Sequence, residues 1–310
     1  MLKLGWMVAM TCLAAAGGTL GLPFIPIAIY FFFATLRPQC MFEEDIGLTW
    51  STFPWSMIIA LISISSAFIW RLMLWPAHIV RKGKILPKLT LAHWVLGQQS
   101  RLPQVSLGHC AFVLFAFWIT LSYFNAKNPI YAERPFNEYL KTFLMLFVSW
   151  AIIHRMKQTW ALLLLVAFAL MWIGYYMNAR YFLDGYNYIN RVGYDGLDNN
   201  GAGLLLAMGF PLCIFLCDGI RQWWRWGFLL GAAFITHAIL LSFSRGAMLS
   251  VLVTMPFYLL RCRNKVFILV FYAAGICALP VLAGKEVLAR FSSTAEYQQD
   301  DSANSRLTTW

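Results

Sequence analysis

Three patches of the sequence carry residues that could do chemistry. The first is Ser242-Phe243-Ser244-Arg245-Gly246-Ala247, which joins two apolar runs. An arginine at such a turn sits at the edge of the hydrocarbon and keeps its charge at any working pH, so it needs a partner. Its planar guanidinium can grip phosphate through two parallel hydrogen bonds, which makes a lipid-linked diphosphate the natural ligand in a bacterial membrane. The plainer account is an anchor whose charged head snorkels to lipid headgroups. The second patch is segment 178–200, dense in tyrosine, amides and glycine, with Arg180, Arg191, Asp198, Asn199 and Asn200 among them. Sugar rings pack on aromatic faces and amides bond hydroxyls. An ordinary interfacial aromatic belt, with a helix N-cap at Asp198 or Asn199, has the same composition. The third patch is the polar stretch from Ser292, which ends Asn304-Ser305-Arg306-Leu307-Thr308-Thr309-Trp310 and reads as an amphipathic lid or a solvated tail.

What is missing narrows the chemistry further. The proposed spans hold no Asp or Glu in their apolar interior, whereas proton-coupled pumps and transporters usually need carboxylates there as relays. The five histidines, His78, His93, His109, His154 and His237, are scattered, and no acids or histidines have metal-ligand spacing. No metal and no cofactor is therefore expected. His237 stands apart, inside a span eight residues before Arg245; a neutral histidine hydrogen-bonded between helices is its simplest role. The seven cysteines lack C-x-x-C spacing and read as small apolar residues, although Cys213 and Cys217 share a helix face at i, i+4.

The elements that must position these residues are membrane helices. Of 310 residues 60% are hydrophobic and only 12% charged, against roughly 25% charge in soluble domains. Mean hydropathy is +0.65. Apolar runs this dense exceed what a soluble core of this size can bury, which excludes a secreted enzyme, a cytosolic dehydrogenase and a nucleic-acid-binding domain. Ten apolar stretches, near 4–20, 22–36, 53–70, 107–124, 139–153, 159–177, 201–217, 226–242, 246–260 and 264–284, predict an all-α polytopic bundle of nine or ten spans forming a single integral membrane domain.

Charge then orients the bundle. Lys and Arg number 24 against 13 Asp and Glu, a net of +11. Segment 71–106 carries Arg71, Arg81, Lys82, Lys84, Lys88 and Arg101 with no acid, which places it in the cytoplasm. It is either a solvated topology-setting loop or, with Trp70, Trp75 and Trp94, a basic surface helix on anionic headgroups. Alternation then puts 125–138, 178–200, Ser244–Gly246 and 285–310 outside, together with the acidic Glu43-Glu44-Asp45 loop. The N-terminus conflicts with this parity if Lys3 lies inside. Either residues 4–36 cross once, broken at Gly21-Leu22-Pro23, or Met1 lies outside. A cleaved signal peptide is a rival to a retained anchor there.

The Asp198-Asn199-Asn200-Gly201-Ala202 stretch opening one span, the Ser244-Arg245-Gly246-Ala247 turn, and Arg306-x-x-x-Trp310 resemble the O-antigen ligase/polymerase superfamily. The resemblance is closest to its exosortase-associated O-glycosylation ligase-like branch and covers roughly residues 110–310. It implies a GT-C-type glycosyltransferase of a bacterial inner membrane. Such an enzyme moves a glycan from an undecaprenyl-diphosphate carrier to a glycan, lipid or protein acceptor on the periplasmic side, without a metal ion. Arg245 and Arg306 match the motif arginines and would stabilise the leaving diphosphate. Arg191, Asp198, Asn199, Asn200, Ser244 and Trp310 would contact substrate. The family places its base, a histidine, in the loop after the Arg-x-x-x-Trp motif. None of the five histidines lies there, so a chain cut short, inactive and poorly stable by itself, is expected, with a non-catalytic homologue as the alternative. A repeat-unit polymerase, a flippase for an amphiphilic anion and a membrane scaffold are the competing functions.

Overall fold

A computed structural model of the chain describes residues 2–69, 106–153, 155–261, 265, 266, 269, 270, 273 and 274. The basic segment up to residue 105, most of the last apolar stretch, and the polar stretch with Arg306 and Trp310 lie outside the described residues. Among the described residues the regular structure is helical. Five helical stretches are long and apolar enough to cross a membrane: Leu2–Thr19, Thr49–Phe68, Leu107–Phe124, Met156–Asp184 and Asn199–Gly219. Three shorter apolar helices accompany them. Contacts divide the chain into two compact units, Met1–Leu162 and Leu163–Trp310.

In the first unit, α1 (Leu2–Thr19) and α2 (Phe24–Leu36) fold back on each other. Trp6, near the start of α1, stacks on Phe33, near the end of α2, with ring centres 5.6 Å apart. At the turn, Gly17 leaves so little room that a Cβ there would lie 2.7 Å from the Cβ of Ile25. Residues 4–36 thus form an antiparallel helix pair whose break falls at Leu20–Pro23. The short helices α3 (Pro38–Met41), α4 (Glu43–Ile46) and α5 (Leu48–Ser51) follow, then α6 (Trp55–Phe68). Lys3 donates to the Asp45 carboxylate, so the first residues lie at the same end as the acidic loop.

Helices α7 (Leu107–Phe124) and α8 (Pro129–Ile152) form a second antiparallel pair. Tyr123 stacks on Phe136 at 4.2 Å, Phe112 meets Phe143 at 5.2 Å, and His109 stacks on Trp150 at 3.7 Å. The sequence suggested a loop over 125–138, but α8 begins at Pro129. The polar residues Glu133, Asn137 and Glu138 suit a solvated helix turn as well as a loop, and Pro129 at the first helical position needs no intrahelical partner for its missing N–H.

The second unit is built from α9 (Met156–Asp184, from Leu163 on), α10 (Tyr188–Arg191), α11 (Asn199–Gly219), α12 (Arg225–Leu241) and α13 (Arg245–Arg261). Glycine brings these helices close, as in membrane interfaces where small residues let backbones approach. A Cβ on Gly174 of α9 would sit 3.1 Å from the backbone nitrogen of Ile235 on α12, and one on Gly209 of α11 would sit 2.9 Å from the Cβ of Leu170. Tyr258 of α13 donates its hydroxyl to the Ile214 carbonyl of α11 at 3.1 Å. Here too a polar stretch is partly helical: α9 runs on to Asp184, so the connection to α11 is 185–198 instead of 178–200.

Candidate functional site

The last turn of α12 presents carbonyls that no helical N–H can reach. Two asparagines from other places in the chain supply donors at this end, and a third bonds the helix about two turns earlier. Asn187, before α10, donates its amide to the Leu241 carbonyl at 3.0 Å, and Asn199, the first residue of α11, donates to the Ser242 carbonyl at 2.9 Å. Asn178, on α9, donates to Phe234 at 2.9 Å and to Gly174 of its own helix at 2.6 Å. The chain then turns at Phe243, whose φ of 53° is left-handed, and enters α13. Ser242 and Ser244 are buried in this turn. The Ser242 hydroxyl donates to Ile239 and accepts from the Ser244 N–H, and the Ser244 hydroxyl accepts from the Ala247 N–H at 3.4 Å, a capping arrangement. Arg245 follows as the first residue of α13, half-buried.

Alpha-11 enters the same region. Asp198 is its N-cap and accepts the Gly201 N–H at 2.7 Å. One turn on, a Cβ at Gly203 would lie 2.8 Å from the Ser242 hydroxyl, 3.0 Å from the Ala247 Cβ and 3.1 Å from the Ser244 Cβ. Hydrogen at that position is what lets α11 and the serine turn touch. The two motif segments, Asp198-Asn199-Asn200 and Ser244-Arg245-Gly246, are therefore neighbours in space although more than forty residues apart in sequence.

The connection leading to Asp198 is equally ordered. Tyr194 and Leu197 pair across Asp195 and Gly196, whose φ values of 53° and 75° are those of a type I′ turn, the one Asp-Gly favours. Gly193 has φ 78°, and a Cβ there would overlap the Leu197 carbonyl oxygen. Arg191 ends α10 and lies over the Tyr186 ring at 5.3 Å from its centre. Arg180 is engaged differently, with Asp184 at 3.1 Å and the Tyr176 hydroxyl at 3.1 Å.

Of the residues predicted to contact substrate, Asp198, Asn199 and Ser244 have side-chain oxygens or amides bonded to backbone that shapes the site. Asn200 is half-buried, 3.4 Å from both Asp198 and Asn199 side-chain oxygens, while Arg191 is exposed. The sequence reading missed Asn178, Asn187 and Gly203. Asn178 sits at the end of an apolar run, 59 residues from His237, and nothing local marks the pair. His237 bonds Asn178 through Nδ1 and stacks on Phe182 at 5.4 Å, buried. This is the interhelical histidine the sequence suggested. Removing one partner of a buried pair costs more than removing both, because a lone polar group stays desolvated. Asn178→Leu and His237→Leu are each expected to destabilise by about 1–3 kcal/mol, and the double variant by less than their sum. Thermal unfolding of the four proteins in detergent measures this, and simple additivity would contradict the pairing.

Among the described residues no group of His, Cys, Asp and Glu could hold a metal ion. Cys213 and Cys217 are buried side by side on α11. Burial pushes the Cys40 thiol above its ordinary range, against the lowering influence of Arg37, which makes it a poor nucleophile. Fold and site together define a helical membrane protein with a polar, asparagine-pinned cluster at one end of its second unit. No family model matches the chain, and no curated protein or solved structure matches it.

Proposed function

We propose that the protein is a membrane glycosyltransferase of the O-antigen ligase type, a GT-C-like bundle of nine or ten spans in a bacterial inner membrane. It takes a glycan from an undecaprenyl-diphosphate carrier and joins it to an acceptor hydroxyl on the periplasmic side. The bond from the anomeric carbon to the diphosphate breaks, the acceptor oxygen bonds to that carbon, and the acceptor proton passes to a base. Arg245 and Arg306 meet the negative charge that grows on the departing diphosphate, a task given elsewhere to divalent cations.

One observation carries this reading: the Asn199 amide on the Ser242 carbonyl, which brings two of the three segments of the resemblance together at the turn that leads into Arg245. A simple lipid anchor has no need of such convergence, since a snorkelling arginine works from any helix end.

The test is release of the carrier. Membranes holding the protein in its native host are incubated with lipid-linked glycan and acceptor, and free undecaprenyl diphosphate is measured against membranes from a strain lacking the gene. Gene-dependent release with glycan on a separate acceptor is the expected result. Chains of repeat units joined to one another would instead make it a polymerase. Movement of donor across the membrane with no release would make it a flippase, and no gene-dependent change in either would leave a scaffold.

A further inference from the structure

The segment before Asp198 carries a second group of polar and aromatic side chains, exposed on an ordered backbone. Its backbone is pinned from below. Asn187 bonds the Leu241 carbonyl and accepts the Asn190 N–H at 3.2 Å, Ile189 is buried at 1% exposure, and the Tyr188 N–H donates to the Tyr186 carbonyl at 2.9 Å. On this base Tyr186, Asn190 and Arg191 face outward, all three exposed. The guanidinium of Arg191 rests near the Tyr186 ring and meets no carboxylate among the described residues. Arg180 offers the contrast: its charge is taken up by Asp184. The backbone beneath these exposed side chains is already ordered, so a ligand that binds them does not have to order it.

We propose that Tyr186, Asn190 and Arg191 bind a pyranose that carries an anionic group, a sugar phosphate or a uronate. The weakly positive C–H face of a pyranose packs on the negative face of the Tyr186 ring. Arg191 takes the phosphate or carboxylate in a two-pronged, charge-assisted bond, and the Asn190 amide serves a ring hydroxyl. A lipid headgroup asks only for the charge and leaves the tyrosine and the amide without work, whereas an acidic sugar employs all three. That the sugar belongs to the donor glycan rests on the transferase reading above; the site itself does not depend on turnover.

The experiment uses the full chain in phosphatidylcholine nanodiscs, titrated with glucuronate, glucose 1-phosphate, glucose and inorganic phosphate and followed by saturation-transfer NMR. Glucuronate and glucose 1-phosphate are expected to bind about tenfold more tightly than glucose. Arg191→Gln should erase that preference, Tyr186→Leu should weaken all three sugars about tenfold, and Tyr186→Phe should keep most of the binding. Unchanged binding in both Arg191→Gln and Tyr186→Leu overturns the proposal. So does inorganic phosphate that matches glucose 1-phosphate and is displaced by phosphatidylglycerol in the discs, which assigns the arginine to headgroups. If sugar binding responds to these variants while carrier release is absent from native membranes, the transferase reading fails and the sugar site stands.

Discussion

Arg245→Ala is expected to lower glycan transfer by at least about a hundredfold, with most of the loss in kcat. A group that meets charge appearing on a leaving diphosphate acts in the transition state more than in the bound donor, so KM moves little. Arg245→Lys keeps the charge but loses the planar fork, and should retain part of the rate, about a tenth or less. Arg306→Ala is expected to follow Arg245→Ala. Transfer assays on native membranes, with protein amounts matched by blotting, give the comparison. Transfer by Arg245→Ala at the native rate would remove this arginine from the chemistry and leave it as a headgroup anchor.

The second large effect concerns backbone. Gly193→Ala is expected to destabilise the second unit by about 3 kcal/mol or more, and Gly196→Ala by only about 1–2 kcal/mol. Both glycines have left-handed φ, 78° and 75°, so both variants incur the conformational cost of a side chain there. They differ in space. A Cβ at Gly196 meets nothing within 4 Å, while at Gly193 it runs into the Leu197 carbonyl that pairs with Tyr194. Opening that pairing frees the link between Arg191 and the Asp198 cap, so the Gly193 variant should also be cut faster by protease within 185–198. Equal melting temperatures for the two variants would mean the turn is not built this way.

Much of this fold is written in local pattern. Apolar runs marked the helices around 4–20, 22–36, 107–124, 201–217, 226–242 and 246–260, and residues 220–224 connect α11 to α12 between two of those runs. Polar composition misled at 129–138 and 178–184, because a helix that has left the hydrocarbon is as polar as a loop. At the site, Ser244 and Arg245 announced themselves by being polar between two apolar runs. Asn187 and Gly203 did not, since their importance lies in what faces them: a carbonyl 54 residues away for one, a serine turn for the other. Asp198 was legible as a helix N-cap, and the Gly201 N–H it accepts bears that out, whereas the bond of Asn199 to the Ser242 carbonyl could be seen only once α12 ended beside it.

The bonds that fix the end of α12 come from uncharged amides. Asn187 and Asn199 hold the Leu241 and Ser242 carbonyls without any group that titrates, and ions screen such short neutral contacts little. The bonds beneath Arg245 therefore hold as ionic strength changes. Ionic strength acts instead on the arginine and whatever anion it meets, so the salt dependence of binding or turnover reads out that encounter directly, free of any loosening of the turn that presents it.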